Sequence, residues 1–325
     1  MNPTTFPPGV LVTALVIASN ACAQAYPVKP VRVVVPFPPG GGVDFVARTV
    51  AQRLGDTMKQ TFVIENRSGA SGMIGADAVA KSAPDGYTLL VASPAEVLVG
   101  PIAGQKVPYD AERDLAPVTL IGETPLVIAA HPSVAARSLQ EVFALAKKQP
   151  GKLSYGTPGN GSTMHFAGES LNDIAGISIM HVPYRGAAPA VADLLGGQVP
   201  LGIVGMPPTV GHAKSGRLRV LAVTSSERSM AMPDVPAVAE LTGFAGYRFT
   251  NWMGAYVAAK TPQPAVERLA ADIAKIVREP QTRDKLLLQG VEPVGNSPAQ
   301  FATFLKEERE RYSKIARERN VRAEE

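Results

Sequence analysis

Strand-like and helix-like segments alternate along this chain from Tyr26 onward, and that order restricts it to a small set of folds. Val31 to Val35 reads as a buried strand. Asp44 is a good N-cap for a helix carrying Val46, Val50 and Leu54 on one face. Thr61 to Glu65 is the next strand and Met73 to Lys81 a helix of small residues. Tyr87 to Ala92 is a third strand, after the turn at Ala83 to Gly86. This βαβαβ order predicts an α/β fold, with a parallel sheet and helices on both faces.

The turns that open the helices are rich in glycine. Pro36 to Asp44 passes through Gly40-Gly41-Gly42, and Tyr155 to Thr163 passes through Gly156, Gly159 and Gly161. Asn66 to Gly72 ends in Gly69-Ala70-Ser71-Gly72. Such loops expose backbone N–H groups at a helix N-terminus, where the macrodipole favours negative charge. A single glycine run is explained as a flexible turn. Three of them, each just before a helix, favour a cradle for an anion, built from preorganised donors. The separation of the first and last in sequence implies a cleft between two lobes.

The second half repeats the pattern. Leu126 to Ala130 is a strand, and Ser138 to Lys148 is an amphipathic helix that Pro150-Gly151 stops. Strands are expected at Leu153 to Tyr155, Ile179 to Val182, Val199 to Val204 and Val220 to Thr224. Helices are expected from Met164 to about Asp173 and from Pro189 to Leu195. Trp252 to Ala258 returns toward the first lobe, followed by amphipathic helices at Pro264 to Arg278 and Pro298 to Arg319. Residues 26–124 and 251–325 therefore read as one discontinuous lobe and 125–250 as the other. Chain crossings near Gly122 to Leu126 and Tyr247 to Gly254 form the expected hinge.

Met1 to Pro8 is polar, Val10 to Ala18 is apolar, and Ala23-Gln24-Ala25 has the small-residue pattern of a cleavage site. Residues 1–25 are read as an export signal cut before Tyr26. The leader lacks Lys and Arg, which leaves a short membrane anchor as the alternative, but the apolar run is too short to span a bilayer. Cys22 is the single cysteine, and Ser19-Asn20-Ala21 is a poor leader for lipidation there. Cleavage leaves neither a disulfide nor a thiolate nucleophile. A charged fraction of 18% and a hydrophobic fraction of 46% describe a folded globular chain. The net charge of +4 is scattered, and Lys306 to Arg322 interleaves acids with bases. That pattern excludes a nucleic-acid stripe and is compatible with an anionic small ligand.

Enzyme readings fail on inventory. The chain lacks a phosphate loop ending in Gly-Lys-Ser/Thr and a Gly-x-Ser-x-Gly nucleophile elbow. Gly69, Gly72 and Gly75 do not have dinucleotide-binding spacing. The histidines are His131, His165, His181 and His212. His165 and Glu169 share a helix face, but a third metal ligand is missing, so His165 reads as a hydrogen-bonding residue at a helix start. Neither a cofactor nor a metal is expected. Arg185 either grips a carboxylate or is a surface arginine. Asp44 reads as a cap more than a ligand contact, with Arg48 as its solvated partner. Trp252 is either hinge packing or a cleft wall.

The motifs together resemble the Bug-type periplasmic substrate-binding proteins of tripartite tricarboxylate transporters. The resemblance covers nearly the whole chain after the signal. It rests on Val35 to Asp44, Glu65 to Gly75, Ala83 to Leu90, Gly151 to Gly156 with His165 and Glu169, Val182 to Ala190, and Pro233 to Glu240. It implies a type II periplasmic-binding-protein fold, with two lobes of mixed, mostly parallel sheet joined by a two-crossing hinge. It implies a small carboxylate-bearing ligand handed to a membrane permease, and a periplasmic location. On matching positions, the first-lobe ligand set is Phe37, Pro39, Gly40, Asp44, Ala70, Ser71 and Ser93. The second-lobe set is Thr157, Asn160, Gly161, Ser162, Thr163, His165, Tyr184 and Gly186. A monomer is expected.

After Val199 the family usually carries aspartates, whereas this chain reads Pro200 to Pro208 without one. That departure predicts a more hydrophobic cleft wall and an apolar-bodied or aromatic carboxylate. Two rivals remain: a receptor of the same fold that signals to a membrane sensor, and an exported enzyme.

Overall fold

The computed structural model describes residues 26–184 and 186–323; residues 1–25, read above as an export signal and including Cys22, and Arg185 lie outside the described residues. β1 (Val31–Val35) pairs in parallel with β2 (Phe62–Asn66) on one side and β3 (Thr88–Ala92) on the other. The crossovers are α1 (Gly42–Met58) and α2 (Met73–Ala80). Val46, Val50 and Leu54 of α1 are buried against the valines of β1, as their helical spacing requires. The helix starts earlier than its N-cap signal indicated: Gly41 is the cap and Asp44 lies in the first turn.

Two short helices, α3 (Gly100–Ile102) and α4 (Ala111–Asp114), lead into β4 (Leu115–Ala130). The sequence pattern located only the end of β4, because Pro117, Gly122 and Pro125 read as turn residues. Pro117 and Gly122 fall at register shifts, between Pro117 and Thr119 and between Leu120 and Gly122, and Pro125 is the last residue paired with the strand at Thr250. Up to Pro125, β4 pairs with β9 (Thr250–Ala258); from Leu126 it pairs with β7 (Leu201–Gly205) and, from Val127, with β8 (Arg219–Val223).

The second half holds α5 (Leu139–Lys148), β5 (Ser154–Thr157), α6 (Thr163–Ala175), β6 (Met180–Pro183), α7 (Ala187–Leu195) and α8 (Pro207–Lys214). β5 is parallel to β6 and β7. The result is one mixed ten-stranded sheet in the order β2-β1-β3-β9-β4-β7-β5-β6, with β8 and the short β10 (Glu292–Pro293) also on β4. Parallel pairing is confined to the outer βαβ strands. The centre is antiparallel, because β4 and β9 carry the chain between the halves in opposite directions.

The chain finishes with α9 (Gln263–Arg278), α10 (Pro280–Leu288) and α11 (Pro298–Arg319). α11 packs on both halves. Near its start, Phe301 and Phe304 meet Trp252 edge-on; near its end, Tyr312 meets Phe166 and Arg319 pairs with Glu169. Trp252 is fully buried and donates to Glu308 at 3.3 Å, so it packs the crossing. Leu201, Ile203, Val204 and Met206 are also core residues. The acid-free stretch is therefore mostly interior from Leu201 to Met206, where its apolar character reports packing, while Pro207 and Pro208 are exposed at the start of α8.

Candidate ligand-binding cleft

The loop after β1 is organised by Asp44. Its Oδ2 accepts the Gly40 N–H and the Arg48 Nε–H, both at 2.9 Å, and its Oδ1 accepts from Asn66 at 2.8 Å. Asn66 also donates to the Phe37 carbonyl at 3.0 Å. Burial pushes the Asp44 pKa upward, but the bonds from Arg48, Gly40 and Asn66 outweigh it and hold the carboxylate below its usual range. A buried, satisfied anion is a poor neighbour for a second one. The expectation of Asp44 as a ligand contact therefore gives way: it shapes the loop, while Pro39 and Gly40 remain exposed. Arg48 is its partner as expected.

The loop before α2 is strained. Gly69, Ala70, Ser71 and Gly72 have φ of 130°, 46°, 52° and 94° in succession. A left-handed residue with a side chain costs roughly 1–2 kcal/mol, and such strain concentrates at functional sites. Ala70 and Ser71 are exposed and line a pocket of about 640 Å³ with Met73, Gly104, Gln105, Lys106 and Ala323. Gly75 packs tightly over Pro36, which brings this loop against the root of the first. Ser93 behaves differently from expectation. It is buried, and its hydroxyl and N–H both go to Glu96, each at 2.7 Å.

In the loop after β5, the Thr157 hydroxyl lies 2.6 Å from His181 Nε2 and 3.2 Å from the Gly159 carbonyl. Ser162 is the N-cap of α6: it accepts the His165 N–H at 3.2 Å and donates to Gly159 O at 2.7 Å. Thr163 is the buried first residue of the helix. The Gly161 N–H donates to His165 Nδ1 at 3.1 Å, so it is committed within the loop. The rings of His165 and His181 stack with centroids 3.8 Å apart. Burial lowers both pKa values, and the neighbouring His165 helps bring His181 to about 3. Both rings are neutral near pH 7.

Tyr184 lies beneath Gly156, where a Cβ would come within 3.0 Å of its ring, and its N–H donates to Thr157 O at 2.9 Å. Gly186 donates to Pro158 O at 2.9 Å and starts α7. These two residues brace the loop from behind. Asn160 lies in the same loop and is half-buried.

The two halves meet at Gly161. A Cβ there would lie 2.9 Å from Ala103 Cβ and 3.1 Å from Ala323 Cα, and Ala323 N–H donates to Ala103 O at 3.0 Å. The residues after α11 therefore sit between the loop after β5 and the pocket wall that faces Ala70 and Ser71. Another pocket, of about 460 Å³, is lined by Pro207, Val210, Met230, Leu287 and Leu288 and adjoins none of the glycine loops.

A model of the tripartite tricarboxylate transporter family receptor matches residues 46–321. The chain belongs to that family. It is 37% identical to protein BugT of Bordetella pertussis over 311 residues, 95% of each chain. Among solved structures, it resembles the periplasmic binding protein BugD at 30% identity and a TM-score of 0.75, over 92% of this chain and all of that one. It resembles Rpa4515 of R. palustris, solved with adipate, at 33% identity and 0.79, over 91% of this chain and 99% of that one. It resembles MatC of Rhodopseudomonas palustris, with bound malate, at 30% identity and 0.73, over 89% and 99% of the two chains.

In this receptor the site draws on residues that the motif reading passed over. Asn66 ties the first loop, and its signal was its place at the end of a strand beside Arg67-Ser68-Gly69. Glu96 stands three after Ser93, a capping-box spacing. His181 carried no signal beyond its type. Ala323 carried none, because only the packing of α11 brings it to the cleft. Among the described residues, no three His, Cys, Asp or Glu side chains form a metal-binding group, and no helix is long and apolar enough to cross a membrane.

Proposed function

We propose that this receptor captures a small carboxylate in the pocket beside Ala70 and Ser71 and delivers it to the membrane component of a tripartite transporter. The observation that carries the reading is the strained pair itself: two exposed, left-handed residues line a pocket whose far wall touches Gly161. Relatives of this fold solved with adipate and malate support a carboxylate as the ligand. BugD, a periplasmic binding protein, supports export, with the signal cut before Tyr26. The reading also takes residues 26–124 with 251–325 as one lobe and 125–250 as the other. The protein acts as a monomer that closes by bending at β4 and β9, and as a binder instead of a catalyst.

Thermal shift with malate, adipate and their amides tests it. A ligand at a hundred-fold excess over its dissociation constant stabilises by about 2.7 kcal/mol. For a chain of this size that is a melting shift of about 5 °C. The amides should lose most of it, because they cannot accept charge-assisted N–H bonds. Equal shifts from acids and amides would refute an anion site.

A further inference from the structure

Glu96 follows β3 in a π-helical turn, Ala95–Val99, and is fully buried. Its Oε1 accepts the Ser93 N–H and its Oε2 accepts the Ser93 hydroxyl, each at 2.7 Å. The same carboxylate presses on Gly72, where a Cβ would lie 3.2 Å from Oε2. Gly72 closes the left-handed run whose Ala70 and Ser71 line the pocket. One side chain thus joins the turn after β3 to the strained loop.

No cation pairs with it among the described residues. The Tyr109 hydroxyl donates to the Glu96 carbonyl at 2.6 Å, and Tyr256 faces it from β9. Asp77 of α2 acts on Tyr109, and Arg309 of α11 acts on Tyr256. Burial raises the Glu96 pKa to about 7, against the lowering effect of the Ser93 bonds.

We propose that Glu96 is a positioning residue for anion capture, and that the cleft takes up a proton on Glu96 when it takes up an anion. The inference rests on the pocket being a carboxylate site. When ionised, Glu96 holds the only hydroxyl proton of Ser93 and places a negative charge behind the loop that an anion approaches. When it accepts a proton from solvent, its O–H donates to Ser93 Oγ, and the Ser93 proton is free to turn to another acceptor. The charge behind the loop is gone. By linkage, lower pH tightens binding by the factor with which the anion favours the protonated form.

Calorimetry with malate and adipate, from about pH 5.5 to about pH 8.5, tests this in the full chain and in Glu96→Gln. Wild-type affinity should fall by up to about tenfold per pH unit above about pH 7. The Glu96→Gln profile should be flat and lie within about threefold of the wild type at low pH, because glutamine keeps an acceptor for the Ser93 N–H and a donor for its Oγ. Matching slopes in the two proteins would overturn the proposal. Ser93→Ala is an independent check: it should weaken binding at about pH 6, and unchanged affinity would also overturn it. Urea denaturation without ligand supplies a separate arm. Wild type should lose stability between about pH 4.5 and about pH 7 relative to Glu96→Gln, and equal losses would sink the inference. If neither acid binds wild type, the carboxylate reading fails, while the denaturation arm still decides whether Glu96 is a buried titrating group.

Discussion

The loop before α2 and the loop after β5 both end at the start of a helix, yet they are held in different ways. The first is held by backbone strain, with four consecutive positive φ values backed by the single carboxylate of Glu96. The second is held by side-chain bonds from Thr157, Ser162 and His165, over a pair of stacked imidazoles. The first keeps Gly69, Ala70 and Ser71 exposed. The second uses several of its own donors internally, so removing its hydroxyls is expected to cost stability before it costs affinity.

Gly161→Ala should have the largest effect, because it breaks the contact where the halves meet. It combines a left-handed φ of 66° with a clash against Ala103 and the backbone of Ala323. Left-handed strain and overpacking together predict a loss of about 2–4 kcal/mol in chemical denaturation. Gly40→Ala is the control: its φ is 87°, but its Cβ would meet nothing within 4 Å, so only the strain remains, about 1–2 kcal/mol. Equal losses would show that the close approach at Gly161 is relieved by movement of the tail.

Thr157→Val keeps shape and removes the hydroxyl that touches His181 and Gly159. It should cost about 1–3 kcal/mol of stability, measured by urea unfolding without ligand. Ser162→Ala should cost about 1 kcal/mol as a lost N-cap. A normal melting curve with weakened ligand binding would instead return Ser162 to the role first expected of it.

The two loops should also respond to pH with opposite signs. Glu96 has a raised pKa, so between about 4.5 and about 7 the folded state binds more protons than the unfolded, and stability falls as pH rises. His181 has a lowered pKa, so between its usual 6.5 and about 3 the unfolded state binds more protons, and stability falls as pH falls. Partial solvation of His181 makes its effect the smallest here, below about 1 kcal/mol per pH unit. His181→Phe should retain the ring packing and lose this acid sensitivity in a pH series of melting curves.

Local sequence pattern was enough to place β1, α1, β3 and α11, because burial on a sheet or along one helix stripe repeats at fixed spacing and leaves its period in the residues. It also located the three glycine loops, because positive φ and close backbone approach select glycine. It did not reveal that β4 extends back to Leu115. Pro117 and Pro125 look like breakers until β9 is seen to pair with both, with a register shift after Pro117. The family resemblance implied Asp44, Ser93 and Ser162 as ligand contacts by matching position; only the fold shows that Asn66, Glu96 and His165 already occupy their polar atoms. The presence of Ala323 at the cleft was decided entirely by tertiary packing. Periodicity and backbone geometry are local and written in the chain, whereas the partner of a buried hydroxyl or carboxylate depends on which distant segments the core brings beside it.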